Sequence, residues 1–162
     1  MIEPLAAILD TATIDTPGGG RIGLVRFGGH LFPRVGTEFG AMPFGGAEAL
    51  GAAMLDVASQ VGPTGVVVLD MDCNGGTCWG MSAGLALVRR AAAIAPIVAM
   101  ANDVMASGGY WLAAAATGAS RRAHGFGSIA ATPTATIGSI GVLCGVADPS
   151  GMHEKQGVRI DA

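Results

Sequence analysis

A chain of 162 residues with 51% hydrophobic residues is long enough to close one core and too apolar to be a disordered segment. Its formal net charge of -3, with only 13% charged residues and no basic run beyond Arg89-Arg90 and Arg121-Arg122, argues against nucleic acid as a partner. Three cysteines, Cys73, Cys78 and Cys144, are odd in number and lack metal-ligand spacing, which argues against a disulfide framework and a zinc site and points to a reducing compartment.

The opening Met1-Ile-Glu-Pro-Leu lacks the basic start of a secretory signal, and the apolar stretch 91–101 is too short for a bilayer and meets Asn102-Asp103. These features predict a soluble, cytoplasmic protein with no membrane anchor in this chain. Residues 1–20, with Thr, Asp, Pro17 and Gly18-Gly19-Gly20, predict an arm or loop, leaving 21–162 as the domain. Arg21-Ile-Gly-Leu-Val-Arg-Phe27 alternates apolar with small or polar residues and predicts a strand ended or bulged by Gly28-Gly29. Pro33, Pro43 and repeated glycines predict an irregular connection over 30–46.

Leu50, Met54, Val57 and Val61 recur at helical spacing and predict a helix over 47–61. Val66-Val-Val-Leu-Asp-Met-Asp72 is the clearest strand, entered through Gly62-Pro63 and left through Asn74-Gly75-Gly76. A helix follows over 81–93, with Leu85, Val88 and Ala92 on one side, then a strand over 97–101. After Ser107-Gly-Gly109 the chain turns Ala-rich, predicting a helix over 110–116. Residues 137–146 read as a Gly-punctuated strand or turn, 149–156 as a short helix, and Gly157-Val-Arg-Ile160 as the start of a strand. This β-turn-α rhythm predicts an α/β fold with layered, partly parallel strands.

Ser107 stands where the predicted strand turns into the Ala-rich helix. A serine there can be held clear of the core, with its hydroxyl beside the free N–H groups of a helix N-terminus. Helix capping is the structural alternative. As a nucleophile, serine is weak and needs a base.

In order and spacing, the strand 66–72 with its Asp72-Cys-Asn-Gly-Gly76 turn, Pro96-Ile-Val-Ala99, Ala106-Ser-Gly-Gly-Tyr110 and Thr132-Pro-Thr-Ala-Thr-Ile-Gly-Ser-Ile-Gly-Val142 resemble the signal peptide peptidase A family and its phage capsid-protease relatives. The resemblance runs over roughly 65–158. It implies a Clp-protease/crotonase-like α/β layered fold of repeated β-β-α units, homo-oligomeric assembly, no cofactor, and cleavage of peptide substrates by a serine with a lysine base. On that resemblance Ser107 is the nucleophile, the Gly75-Gly76 turn lends a backbone N–H to an oxyanion hole, and Gly108 lends the second. Physically, two preorganised N–H donors lower the barrier of acyl transfer by several kcal/mol. Tyr110 and Trp111 are candidates for a substrate pocket, with core packing as their alternative.

Three departures from the family stand out. The stretch 117–128 is longer than relatives imply and is expected to be a surface insertion or interface loop. Relatives carry Ser-Pro-Gly-Gly where this chain has Cys73-Asn74-Gly75-Gly76, so the stiffening proline is missing and a looser turn is expected. The single lysine, Lys155, lies in a charged and polar stretch that reads as a solvated face, whereas a general-base lysine needs desolvation. The preferred reading is a chain truncated before its dyad lysine, with Lys155 as the fallback base. Among the histidines, His124 falls in the 117–128 stretch and reads as a loop residue. Asp72 and Asp103 read as turn caps. The leading function is a serine endopeptidase. An inactive, oligomerising scaffold such as a capsid-assembly protein and a crotonase-type acyl-CoA enzyme are the alternatives.

Overall fold

A computed structural model describes residues 8–32 and 45–145, together with Met152, Lys155 and Gly157. Period-two burial sets the strands. In β2 (Arg21–Phe32), Val25, Phe27 and Leu31 are fully buried. In β4 (Val66–Gly76), the same holds for Val67, Leu69, Met71 and Cys73. The residues between them turn to the opposite face, as a pleated backbone requires. β5 (Ile97–Ala106) continues the pattern with Ile97, Ala99 and Ala101. β2, β4, β5 and β6 (Gly127–Ala131) run parallel and side by side.

Each parallel step needs a crossover, and the helices supply it. α1 (Ala47–Val61), α2 (Met81–Ile94) and α3 (Gly108–His124) connect β2 to β4, β4 to β5 and β5 to β6, and α2 packs against both α1 and α3. Leu50 and Met54 of α1, Val88 of α2 and Leu112 of α3 close the core over the sheet. β3 (Gly45–Gly46) pairs with β2 and β7 (Thr136–Gly138) with β5, completing seven strands.

The helix 47–61 and the strand starts at 66 and 97 lie where the sequence places them. Several elements differ. Within the expected arm 1–20, residues 8–15 form a strand, β1 (Ile8–Asp15), paired antiparallel with β2 from Ile8↔Gly28 to Asp15↔Arg21. The tight turn between them is closed by Thr16 N–H donating to Gly20 O at 2.8 Å, so the Gly-rich run is a hairpin connection. β2 runs on through Gly28-Gly29 as far as Phe32, with its register against β4 shifting between Gly29 and His30. Most of the expected connection 30–46, and most of the expected segments 149–156 and 157–160, lie outside the described residues, within which Met152 and Lys155 are helical.

The expected insertion 117–128 is the last two turns of α3 and the entry to β6. Thr117 and Ser120 obscured it, because both favour non-helical backbone when exposed. Here they are buried. Thr117 Oγ1 donates to Ala113 O at 2.9 Å, and Ser120 Oγ accepts from Ile97 N at 2.8 Å and donates to Phe126 O at 2.6 Å. The helix ends at Gly125, whose φ of 71° suits a left-handed cap. His124 is therefore the last residue of a helix, with Nε2 3.1 Å from Ala92 O, and not a loop residue.

Candidate active site

The C-terminal ends of β4 and β5 build the candidate site. Ser107 joins β5 to α3 with φ 51° and ψ -120°, a conformation that L residues rarely adopt and that costs of order 1–3 kcal/mol. Its backbone is held on both sides: Ser107 N–H donates to Gly138 O of β7 at 3.0 Å, and Ser107 O accepts the first helical bond from Trp111 N at 2.9 Å. Its hydroxyl makes no capping bond and has no hydrogen-bond partner among the described residues. The capping alternative therefore fails. The N–H of Gly108, in the first turn of α3, has no intrahelical acceptor.

Across from Ser107 stands the glycine turn. Gly75 has φ 92°, and a Cβ there would lie 2.5 Å from Ser107 Cβ and 2.9 Å from its Oγ. Only glycine fits that approach. A Cβ on Gly76 would run into Leu31 O. The Gly75 N–H donates to Cys73 Sγ at 3.3 Å, and the Thr77 N–H donates to Leu31 O at 3.0 Å. The turn that lacks proline is thus held by a sulfur. Burial pushes the Cys73 thiol up to about 11, with the Gly75 hydrogen bond acting in the other direction and Asp72 adding to the rise. At neutral pH this thiol is a neutral, buried acceptor and not a nucleophile.

A cleft of about 760 Å³ opens over Ser107 between Gly76-Thr77-Cys78-Trp79 and the segment 139–144. A second compartment of about 330 Å³ shares Ser107 and Gly76 and is walled by Met81, Gly108, Tyr110, Trp111 and Ala114. Tyr110 is partly buried against the core and Trp111 stays 47% exposed, and both line this second compartment. Thr77 Oγ1 is buried without a hydrogen-bond partner at the edge of both compartments.

Sequence reasoning passed over Ser139, whose φ is also 51° and which follows the glycine that holds the Ser107 N–H. It also passed over Cys78 and Cys144, two exposed thiols in the cleft wall. The Gly-punctuated spelling of 137–146 was the signal for Ser139 and Cys144, and for Cys78 it was the adjoining Gly75-Gly76 turn.

Neither the fallback base Lys155 nor the other titratable candidates hydrogen-bond to Ser107 among the described residues. Lys155 is exposed and lines neither compartment. His124 lies at the far end of α3, which at 1.5 Å per residue places it roughly 24 Å from Ser107. His30 sits beside Gly75 in the β2–β4 register, but it is exposed and makes no hydrogen bond to Ser107. Asp72 and Asp103 are both exposed. The organised carboxylate is Asp70, which accepts from Arg26 Nε at 3.0 Å and from Asn102 Nδ2 at 2.5 Å on the sheet face away from the helices. Among the described residues no cluster of His, Cys, Asp and Glu suits a metal ion, and no helix is long and apolar enough to cross a membrane.

Comparisons with known proteins bear on the fold and the family. Residues 89–162 match the family described as Peptidase family S49. Capsid assembly protease C of Escherichia phage lambda is 39% identical over 94 residues, covering 58% of this chain and 19% of that relative's own length. The beta subunit of P. aeruginosa geranyl-CoA carboxylase superposes with a TM-score of 0.51 at 14% identity, over 84% of this chain and 26% of that one, a likeness of fold alone. By these matches the chain has the Clp-protease/crotonase-like layered α/β fold, and its residues 89–162 are similar to the S49 peptidases.

Proposed function

We propose that this chain carries the nucleophile and oxyanion hole of a serine endopeptidase acting through a Ser-Lys dyad. One observation carries the reading: Ser107 is held in a strained strand-to-helix turn with its hydroxyl unpaired, directly facing the Gly75-Gly76 turn across an open cleft. In the first step Ser107 Oγ bonds to the scissile carbonyl carbon while its proton passes to the base. The carbonyl oxygen takes the charge, stabilised by the N–H groups of Gly108 and Gly76. Gly76 is assigned the second donor because the neighbouring N–H groups are committed, that of Gly75 to sulfur and that of Thr77 to Leu31 O. Collapse breaks the C–N bond, the departing amine takes the proton, and water then hydrolyses the acyl-enzyme.

The base of this reading is a lysine carried outside this chain, since Lys155 is exposed and away from the cleft. Among the described residues, the compartment walled by Met81, Trp111 and Ala114 holds no charged side chain, which suits an apolar residue of an extended peptide. The likeness to a phage capsid assembly protease supports a capsid-assembly polypeptide as the substrate and a homo-oligomer as the working form. The second reading, an inactive scaffold, is favoured by the position of Lys155 alone.

A chain extended past Ala162 distinguishes the two. With a fluorophosphonate probe it labels at Ser107, and Ser107→Ala abolishes the label. A folded, extended chain that takes no label overturns the peptidase reading.

A further inference from the structure

We infer that Cys73 is a positioning residue for the oxyanion hole, one whose sulfur holds the glycine turn and sets its distance from the Ser107 helix. The inference rests on the peptidase reading and names what keeps its two walls in register.

Cys73 is fully buried where the β4–β5 pairing slips, between Met71↔Ala101 and Cys73↔Met105. At such a slip the ladder no longer dictates where the following peptides point. The side chain takes over that task. On one side Sγ accepts the Gly75 N–H at 3.3 Å. On the other, a Cβ added to Gly109 would lie 2.9 Å from Cys73 Cβ and 3.0 Å from Sγ, so the first turn of α3 rests directly on the same side chain. One residue thus touches both the turn that carries Gly76 and the helix start that carries Ser107 and Gly108.

The chemistry suits a spacer. Sulfur is large and a weak acceptor, so it fills the gap between the two walls and orients the Gly75 peptide. With the Gly75 N–H drawn inward to sulfur, the Gly76 peptide is the next one able to face the cleft. In the family this sequence resembles, a proline stiffens the same turn through its own ring. Here Asn74 occupies that place, and the restraint comes from the preceding side chain.

The test uses the extended chain with three readouts: the rate of fluorophosphonate labelling at Ser107, the affinity for an uncleaved apolar peptide, and hydrogen exchange of the Gly75 amide. Cys73→Val keeps an apolar side chain and removes the acceptor, whereas Cys73→Ser keeps an acceptor. Valine is expected to slow labelling by roughly ten- to a hundredfold, less than outright loss of an oxyanion donor. It is also expected to speed Gly75 exchange and leave peptide affinity unchanged. Serine is expected to restore labelling to within about fivefold of the original chain, because an acceptor remains for the Gly75 N–H. Labelling of Cys73→Val at the original rate overturns the inference, and so does a serine variant as slow as valine, which would make packing the whole effect. If the original chain takes no label, the peptidase reading fails, and unchanged Gly75 exchange in the folded Cys73→Val variant overturns the positioning role by itself.

Discussion

The two ends of the parallel strands follow different rules. At their N-terminal ends the pairing is unbroken, from Ile22↔Val66 to Gly29↔Cys73 and from Val67↔Ile97 to Met71↔Ala101. At their C-terminal ends both ladders slip, φ turns positive at Gly29, Gly75, Ser107, Gly138 and Ser139, and the cleft opens. Ligand sites of open α/β sheets lie at that end. The contrast teaches that the regular end supplies the stability that lets the other hold a serine in a strained turn.

The sharpest way to break this contrast is to relax the strained end. Ser107→Gly is expected to cut fluorophosphonate labelling by at least roughly a thousandfold, since the nucleophile is gone. It is also expected to raise stability by about 1 kcal/mol, because glycine takes φ 51° without the clash and gives back part of that gain as unfolded-state entropy. Chemical denaturation checks the second half, and a less stable variant would show that the turn stores no strain.

The opposite experiment weakens the regular end. Leu69 is fully buried on β4, and Leu69→Ala is expected to cost about 3 kcal/mol through lost transfer energy and the cavity left behind. Below the unfolding transition its labelling rate should stay within about threefold of the original, the scale left when no transition-state contact is lost. A larger fall would mean that the two ends are not separable.

The smallest effect concerns the joint between them. The Cys73 thiol is raised from 9.0 to about 11 on folding, so the unfolded chain loses its proton first. The stability it confers is complete below pH 9 and declines as pH rises towards 11, by roughly 2–3 kcal/mol in all. Denaturation midpoints measured across that window should fall more steeply for the original chain than for Cys73→Val, which cannot ionise. Equal slopes would place the thiol in contact with water.

Much of the regular end was legible without coordinates. The spacing of Leu50, Met54, Val57 and Val61 marks α1 to the residue, and the apolar β-branched run at 66 marks the start of β4. Ser107 is legible because a local change of pattern from β-branched to Ala-rich puts a serine at a strand-to-helix junction. Elements that borrow their stability from elsewhere were not legible. β1 is almost wholly exposed and exists through its pairing with β2, while the last turns of α3 depend on Ser120 meeting Ile97 and Phe126. Local composition carries no trace of either partner.

What the amino-acid order determined by itself is therefore the set of elements whose hydrophobic period is strong, and the identity of the serine and glycines at their ends. Only the tertiary structure decided that Gly75 gives its N–H to Cys73, that Gly138 holds the Ser107 backbone, and that Lys155 and His124 stay away from the hydroxyl. Those are contacts between segments far apart in the chain or across a turn of positive φ, and a site's geometry is the sum of such contacts. Periodicity reports which face of an element is buried, and not what it is buried against.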